Sequence, residues 1–247
     1  MLAAAEGHRR TELSLARERE HAQANLIRRM IAGAIAPAEM RMALLPLGLD
    51  PDAAYHALRT CPTPSHGIND IERLLGVDMP ASLAHGVIAL VDGDLCGFMS
   101  SLSKTPFPMP MGVSASAPLT EFKSAFRRAT RAFNTARALG AVGVFDLEML
   151  GIQAAIVSDA DVGDVFKRRY VDSLNGVTGS EIILDTVERF LNNDLGVEAT
   201  ARELGVHSNT VRQRLGRFEQ QTQRSLREAE TIAEVWWALQ RRHLDAG

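Results

Sequence analysis

The sequence predicts an α+β protein with an N-terminal helix, a mixed α/β domain and a C-terminal all-α domain. Apolar residues alternate on both sides of an Asp92-Gly93 pair, which is typical of a β-hairpin. Long stretches elsewhere repeat apolar residues at helical spacing, and residues 198–218 have the pattern of a helix-turn-helix. We place the boundaries at 1–37 for the N-terminal helix, 38–157 for the α/β domain, 158–179 for a helical connector and 180–247 for the helix-turn-helix domain.

The N-terminal part reads as one helix over about 5–33, with mixed charges along it. Its first twenty-five residues are too polar to be buried alone. They fit a coiled-coil arm or the end of a signalling helix that comes from a domain further upstream. A second helix is predicted to end at Gly48.

The α/β domain is predicted to alternate strands with helices. We expect strands at 55–59, 85–90, 95–102, 111–114 and 142–145, and helices at 68–75 and 118–139. Pro118 would start the long helix and Gly140 would end it. Its basic residues fit either a site for a phosphate-bearing effector or a partner, or simply the solvated face of an amphipathic helix: Arg127, Arg128, Arg131 and Arg137.

Further helices are predicted after the α/β domain. They cover 148–158, 162–174, 181–192 with Ser180 as its cap, and 227–243. Trp236 and Trp237 in the last helix fit either the domain core or stacking on nucleic-acid bases.

The helix-turn-helix pattern has a physical basis in three small or apolar residues. Ala201 allows the second helix to approach the first, Gly205 accepts the positive φ of the turn, and Val211 points back at the first helix. Ser208 or Asn209 is the expected N-cap of the second helix. Val211, Leu215 and Phe218 then form its buried stripe.

The opposite face of the second helix is basic, since residues 207–218 contain three arginines and no acid. Such a helix suits the major groove of DNA. We expect Ser208, Asn209, Arg212 and Gln213 to face base edges, and Thr210, Arg214 and Arg217 to lie nearer phosphates. The alternative is an ordinary helical hairpin with a solvated basic face, or one that packs on a protein partner.

The overall charge of −3 gives no global attraction to nucleic acid, so any affinity must come from a local patch. Residues 198–228 hold six Arg and four Glu, a net charge of only +2. This modest excess favours a homodimer that reads two half-sites of double-stranded DNA.

The segment GVEATARELGVHSNTVRQRLGRFEQQTQRSL resembles the C-terminal DNA-binding domain of the PucR/CdaR-type bacterial transcriptional regulators. The resemblance is carried by an ATA-x-x-LGVH-x-NT run followed by R-x-RL-x-R-hydrophobic-E. It implies a transcriptional regulator, in which a sensory domain commonly stands upstream and a small-molecule effector is possible.

The middle of the chain resembles, more loosely, the degenerate GGDEF-like domain of the same family, most of all at GVSASAPLTEFKSAFRRATRAFNTARALG. Its hairpin reads VDGDLC, without the paired glycines and following Glu of active diguanylate cyclases. A regulatory or dimerisation role is therefore expected, and residual cyclase or nucleotide-binding activity is the alternative. Asp92 and Asp94 fit a turn, with a Mg²⁺ site as the other possibility.

No catalytic residue, cofactor or metal site is predicted, because no nucleophile elbow, P-loop, HExxH or dinucleotide fingerprint occurs. Cys61 and Cys96 have no CxxC spacing and are expected to be reduced thiols. The sequence lacks an apolar segment of membrane-spanning length and begins without a signal peptide, so we expect a cytoplasmic protein that does not contact a membrane.

Overall fold

The computed structural model describes residues 2–76, 85–102 and 106–246 and has the predicted α+β class. The chain divides into two compact units, Met1–Ala154 and Ala155–Gly247. Each unit has its own hydrophobic core.

The first unit contains a mixed sheet and the helices that cover it. Its helices are α1 (Leu2–Ala32), α2 (Pro37–Leu44), α3 (Ile68–Leu75), α4 (Phe122–Ala138) and α5 (Leu147–Leu150). Its strands are β1 (Ala54–Thr60), β2 (Gly86–Val91), β3 (Asp94–Met99), β4 (Pro110–Val113), β5 (Ala117–Pro118) and β6 (Gly143–Phe145).

The strands lie in the order β2-β3-β1-β4-β6, and β5 pairs with the start of β1. All pairs are antiparallel except β4 and β6, which α4 connects in parallel. The predicted hairpin is confirmed: β2 and β3 pair up to Val91 and Asp94, with Asp92 (φ 53°) and Gly93 (φ 91°) as the two turn residues.

Helices α1 and α4 cover one face of this sheet. Tyr55, Phe98 and Phe122 form a chain of edge-to-face aromatic contacts there, with ring centroids 5.2 and 5.8 Å apart. The backbone of α4 lies against Gly112 of β4, where a Cβ would come within 2.1 Å of the Ala129 carbonyl oxygen. A glycine is therefore needed where strand and helix meet.

Two helix predictions in this unit are wrong in detail. The long helix begins at Phe122 rather than at Pro118, because Ala117 and Pro118 pair with β1 and a 3₁₀ turn follows them. The predicted helix at 148–158 is divided at Gly151, whose backbone (φ 52°, ψ −133°) is not helical. The parts are α5 and α6 (Gln153–Ser158).

The second unit is helical, with α7 (Ala160–Tyr170), α8 (Ser180–Asn192), α9 (Val197–Leu204), α10 (Ser208–Thr222) and α11 (Ala229–Ala246). The helix predicted at 162–174 ends at Tyr170, and a 3₁₀ turn over Asp172–Leu174 follows it. Ser180 is the first residue of α8 rather than its cap; Gly179 occupies the cap position without a side-chain hydrogen bond.

No helix in the described part of the chain combines the length and the apolar character that crossing a membrane requires.

Candidate nucleic-acid interface

Helices α9 and α10 are joined by a tight turn at Gly205, which has the left-handed conformation (φ 64°, ψ 32°). The Gly205 N–H donates to the Arg202 carbonyl at 3.3 Å, and the Val206 N–H donates to the Ala201 carbonyl at 3.0 Å. This is the Schellman pattern of a helix C-terminus, and it needs a residue without a Cβ penalty at positive φ. The turn glycine predicted from the sequence is therefore confirmed.

The start of α10 differs from the prediction. Its N-cap is His207, with an extended backbone (φ −72°, ψ 146°), and not Ser208 or Asn209. The His207 Nδ1 accepts a hydrogen bond from the Asn209 N–H at 3.2 Å. The imidazole takes the role that an oxygen of Ser or Asn usually has, which propensity alone does not indicate.

The helix-turn-helix packs on α8 to form a three-helix core. Val211, Leu215 and Phe218 of α10 are buried as predicted, and so is Ala201 of α9. Phe218 also stacks on Tyr170, with ring centroids 6.4 Å apart. The buried stripe fixes the rotation of α10 about its axis, so the opposite face points away from this core.

A polar network ties α8 to α9. The Glu203 carboxylate accepts hydrogen bonds from Arg189 and from Asn193 Nδ2, the latter at 2.5 Å. Arg189 also donates to Asp185 at 3.0 Å. The hydrogen bond from Asn193, followed by that from Arg189, lowers the pKa of the Glu203 carboxyl. The network therefore holds α9, the first helix of the helix-turn-helix, against α8.

The predicted DNA-contacting residues all lie on α10 but differ in exposure. Asn209, Arg212, Gln213 and Arg217 are exposed, whereas Ser208, Thr210 and Arg214 are partly buried. The four residues assigned to base edges all lie in the first two turns of the helix. Helices that enter the major groove read bases with this end.

Arg212 is held in place by three side chains. Its Nη1 donates to Ser208 Oγ at 3.1 Å and to Asn209 Oδ1 at 3.2 Å. Its Nη2 donates to Glu198 Oε1 on α9 at 3.0 Å. Glu198 was not predicted as a site residue, and its only sequence signal is a position in the first turn of α9, where acids are common.

Arg214 and Arg217, predicted to lie near phosphates, both contact protein groups. Arg214 Nη1 donates to Thr186 Oγ1 of α8 at 3.2 Å, and Arg217 Nη2 donates to the Thr178 carbonyl at 3.3 Å. Arg214 is partly buried and Arg217 exposed.

The other candidate residues lie outside this interface. Asp94 pairs with Arg59 (Nε to Oδ2, 2.7 Å), whereas the Asp92 side chain is 84% exposed. In the described ranges no three His, Cys, Asp or Glu side chains are grouped for a metal ion. Trp236 and Trp237 are both partly buried, and Trp237 meets Phe166 edge-to-face at 5.9 Å. Burial raises the pKa of the Cys96 thiol to about 12, which keeps it protonated.

The fold and geometry of residues 180–222 define a helix-turn-helix DNA-binding domain. In agreement with this, residues 183–240 match the family of the PucR C-terminal helix-turn-helix domain. The predicted resemblance is confirmed for this region. The match supports a DNA-binding transcriptional regulator. The match does not extend to residues 38–157, whose relation to GGDEF-like domains stays a prediction.

Among solved structures, the chain is similar to a Regulator of Polyketide Synthase Expression from Bifidobacterium adolescentis, at 20% sequence identity. The alignment covers 91% of this chain and 99% of that one, with a TM-score of 0.39, which is too low to support an inference. The comparison with curated proteins finds no significant match.

Proposed function

We propose that this regulator binds a specific duplex sequence as a homodimer, with α10 in the major groove. A helix of 15 residues is roughly 22 Å long and fits this groove, which is about 12 Å wide. The proposal rests on the first turns of α10. They contain no acid, and the buried stripe on the other side of the helix holds them facing outwards.

We assign base reading to Ser208, Asn209, Arg212 and Gln213. Arginine suits guanine edges, and the two amides suit adenine edges. Their position at the helix N-terminus also places the positive end of the helix dipole next to the DNA.

Thr210, Arg214 and Arg217 are assigned to phosphates. Arg214 and Arg217 flank the reading face and direct their guanidinium groups towards α8 and the loop before it. A duplex that lies along α10 would have its backbone on these flanks, where arginine both pairs with phosphate and fixes the register.

The low net positive charge of residues 198–228 is the reason for proposing a homodimer. Few cations are available in one copy, and two copies joined on a twofold axis double the number of phosphate contacts. We propose that residues 38–157 serve dimerisation or effector-dependent regulation, and that the protein acts in the cytoplasm.

Selection of bound duplexes from a random pool tests the proposal. We expect an inverted repeat whose half-sites lie about one helical turn, roughly 34 Å, apart. Sedimentation of the complex should give two chains per duplex. A single unrepeated half-site bound by one chain would exclude the dimer, and the absence of any enriched sequence would exclude specific reading.

A salt titration separates this proposal from a role in binding another protein. Binding to phosphates must weaken steeply as salt rises, with a slope of about −0.9 per phosphate contacted. The Arg212→Ala variant should bind the selected duplex more weakly, and Arg73→Ala in α3 serves as a charge-matched control outside the helical unit. Salt-independent binding would favour the protein-interaction alternative.

A further inference from the structure

A cavity of about 600 Å³ opens between the end of α1, the end of β1 and the start of α4, all within the first unit. This volume lies in the range of roughly 300–1,000 Å³ that small-molecule sites occupy. The lining combines charged, apolar and hydroxyl groups, which is the composition of a ligand site rather than of a packing defect.

Three cations line the cavity: Arg59, Lys123 and Arg127. Asp94 compensates Arg59, whose side chain is only 29% exposed, and Glu121 adds one carboxylate at the rim. Neither Lys123 nor Arg127 forms an ion pair with any residue that the structure describes. The cavity therefore has an excess of positive charge and two side chains that are free to pair with an anion.

The rest of the wall is suited to an apolar body. Phe126, which is almost fully buried, and Ile31 of α1 both line the cavity. Thr130 also lines it, and its enclosed Oγ1 makes no hydrogen bond within the described ranges. A hydroxyl left without a partner destabilises a protein, so Oγ1 points to a ligand that supplies one.

We propose that this cavity is the binding site of a small organic anion, with a carboxylate or phosphate head held by Lys123 and Arg127 and an apolar body against Ile31 and Phe126. Thr130 Oγ1 would donate to the same ligand. The arginine face of α4 is then divided: Arg127 belongs to the site, whereas Arg128 does not line it.

The site also contacts the last turn of α1. Lys123 crosses the end of this helix so closely that a Cβ on Gly33 would lie 2.8 Å from its Cδ. A ligand that draws the lysine towards its head group would change the contact between Lys123 and the end of α1. This regulatory consequence rests on the proposed function, whereas ligand binding itself does not.

Titration calorimetry, in which three small molecules are each added to the full-length chain, tests the proposal. Benzoate and phenyl phosphate carry the two possible anionic heads on one ring, and benzyl alcohol is the neutral reference. We expect saturable binding of at least one anion below about 10 mM, and binding of the alcohol at least about tenfold weaker. Benzoate binding alone would identify a carboxylate site, and phenyl phosphate alone a phosphate site.

The double variant Lys123→Gln/Arg127→Gln should weaken binding at least about tenfold, since both side chains are exposed and their loss leaves the core intact. Arg128→Gln, a charge-matched change on the same helix, should bind as the wild type does. Thr130→Val should also weaken binding while the thermal stability of the free protein stays the same or rises, an outcome that a structural role would not give.

The proposal is overturned if neither anion saturates the protein, or if the double variant binds as tightly as the wild type. None of these measurements contains DNA, so their outcome is independent of the selection experiment. A site that binds benzoate or phenyl phosphate in a protein that fails to select a duplex would leave this inference standing and remove the DNA-reading proposal.

Discussion

Arg212 and Glu198 form an ion pair across the two helices of the helix-turn-helix, with Nη2 and Oε1 3.0 Å apart. Both side chains are more than half exposed, at 54% and 70%. The arginine assigned to base reading is thus held by an acid that also repels phosphate. Glu198 thus holds the guanidinium group that, in the proposed complex, would bind DNA instead.

We therefore expect Glu198→Gln to bind DNA more tightly than the wild type. An exposed ion pair contributes about 0.2–1 kcal/mol, so the affinity should rise by up to about fivefold. Fluorescence anisotropy on a selected duplex measures this. Glu230→Gln, which removes the same charge at the start of α11, corrects for net charge. Weaker binding by Glu198→Gln would show instead that the acid holds Arg212 in its reading geometry.

Two arginines of α10 should differ in the kind of binding that they support. Arg212→Ala should cost about 1–3 kcal/mol on the selected duplex and relax the preference at one base pair. Arg217→Ala should weaken binding to every duplex alike and reduce the salt slope by about one. Competition assays with single-base variants of the duplex distinguish the two. Equal behaviour of both variants would contradict the division into base-reading and phosphate-binding residues.

The helix-turn-helix could be predicted from the sequence because its constraints act between residues that are close together in the chain. Gly205 must accept a positive φ, and Val211, Leu215 and Phe218 must share one face, so spacing alone places the turn and the buried stripe. The N-cap could not be predicted in this way, because His207 caps through a ring nitrogen, whereas the usual preference indicates Ser208 or Asn209.

Contacts between distant residues could not be predicted. Thr186 lies 28 residues before Arg214, and only the crossing of α8 and α10 brings them to 3.2 Å. The cavity has the same origin, since Ile31, Arg59 and Arg127 come from α1, β1 and α4. The sequence placed Arg127 on a basic helix face but gave no means of choosing it over Arg128.

The network around Glu203 predicts a pH dependence of stability. Its pKa is lowered from the usual 4.5, so the ionised form is favoured in the folded state. This contribution is fully present above the unfolded value of 4.5 and is lost as the pH falls through the folded value. Glu203→Gln should therefore be less stable than the wild type at neutral pH, with a difference that shrinks in acid.

Denaturant unfolding at about pH 7 and about pH 3 measures this difference. Glu230→Gln is the control for the loss of one carboxylate. A constant difference between Glu203→Gln and the wild type at both pH values would show that the network acts through packing and not through charge.

The end of α10 should be open to stabilisation. Gln223 follows the helix with a left-handed backbone (φ 54°, ψ 35°), a conformation that costs a residue with a Cβ roughly 1–2 kcal/mol. Gln223→Gly should raise the free energy of unfolding by about 1 kcal/mol. Gln220→Gly, inside the same helix and also exposed, should lower it by about the same amount. A loss of stability in both variants would contradict the assigned conformation.

The contact between β4 and α4 should tolerate no side chain at position 112. A Cβ there would lie 2.1 Å from the Ala129 carbonyl oxygen and 2.3 Å from the Phe133 backbone nitrogen, both of them rigid helix atoms. Gly112→Ala should therefore force α4 away from the sheet and destabilise the first unit by at least about 1–3 kcal/mol.

Thermal unfolding monitored by circular dichroism tests this, with Gly216→Ala as the control. Gly216 lies in α10, where an added Cβ meets nothing within 4 Å, so alanine should stabilise that helix by about 0.5–1 kcal/mol. Glycine-to-alanine substitution is thus expected to destabilise the protein at position 112 and to stabilise it at position 216. If Gly112→Ala were as stable as the wild type, β4 and α4 could not be in close backbone contact at this position.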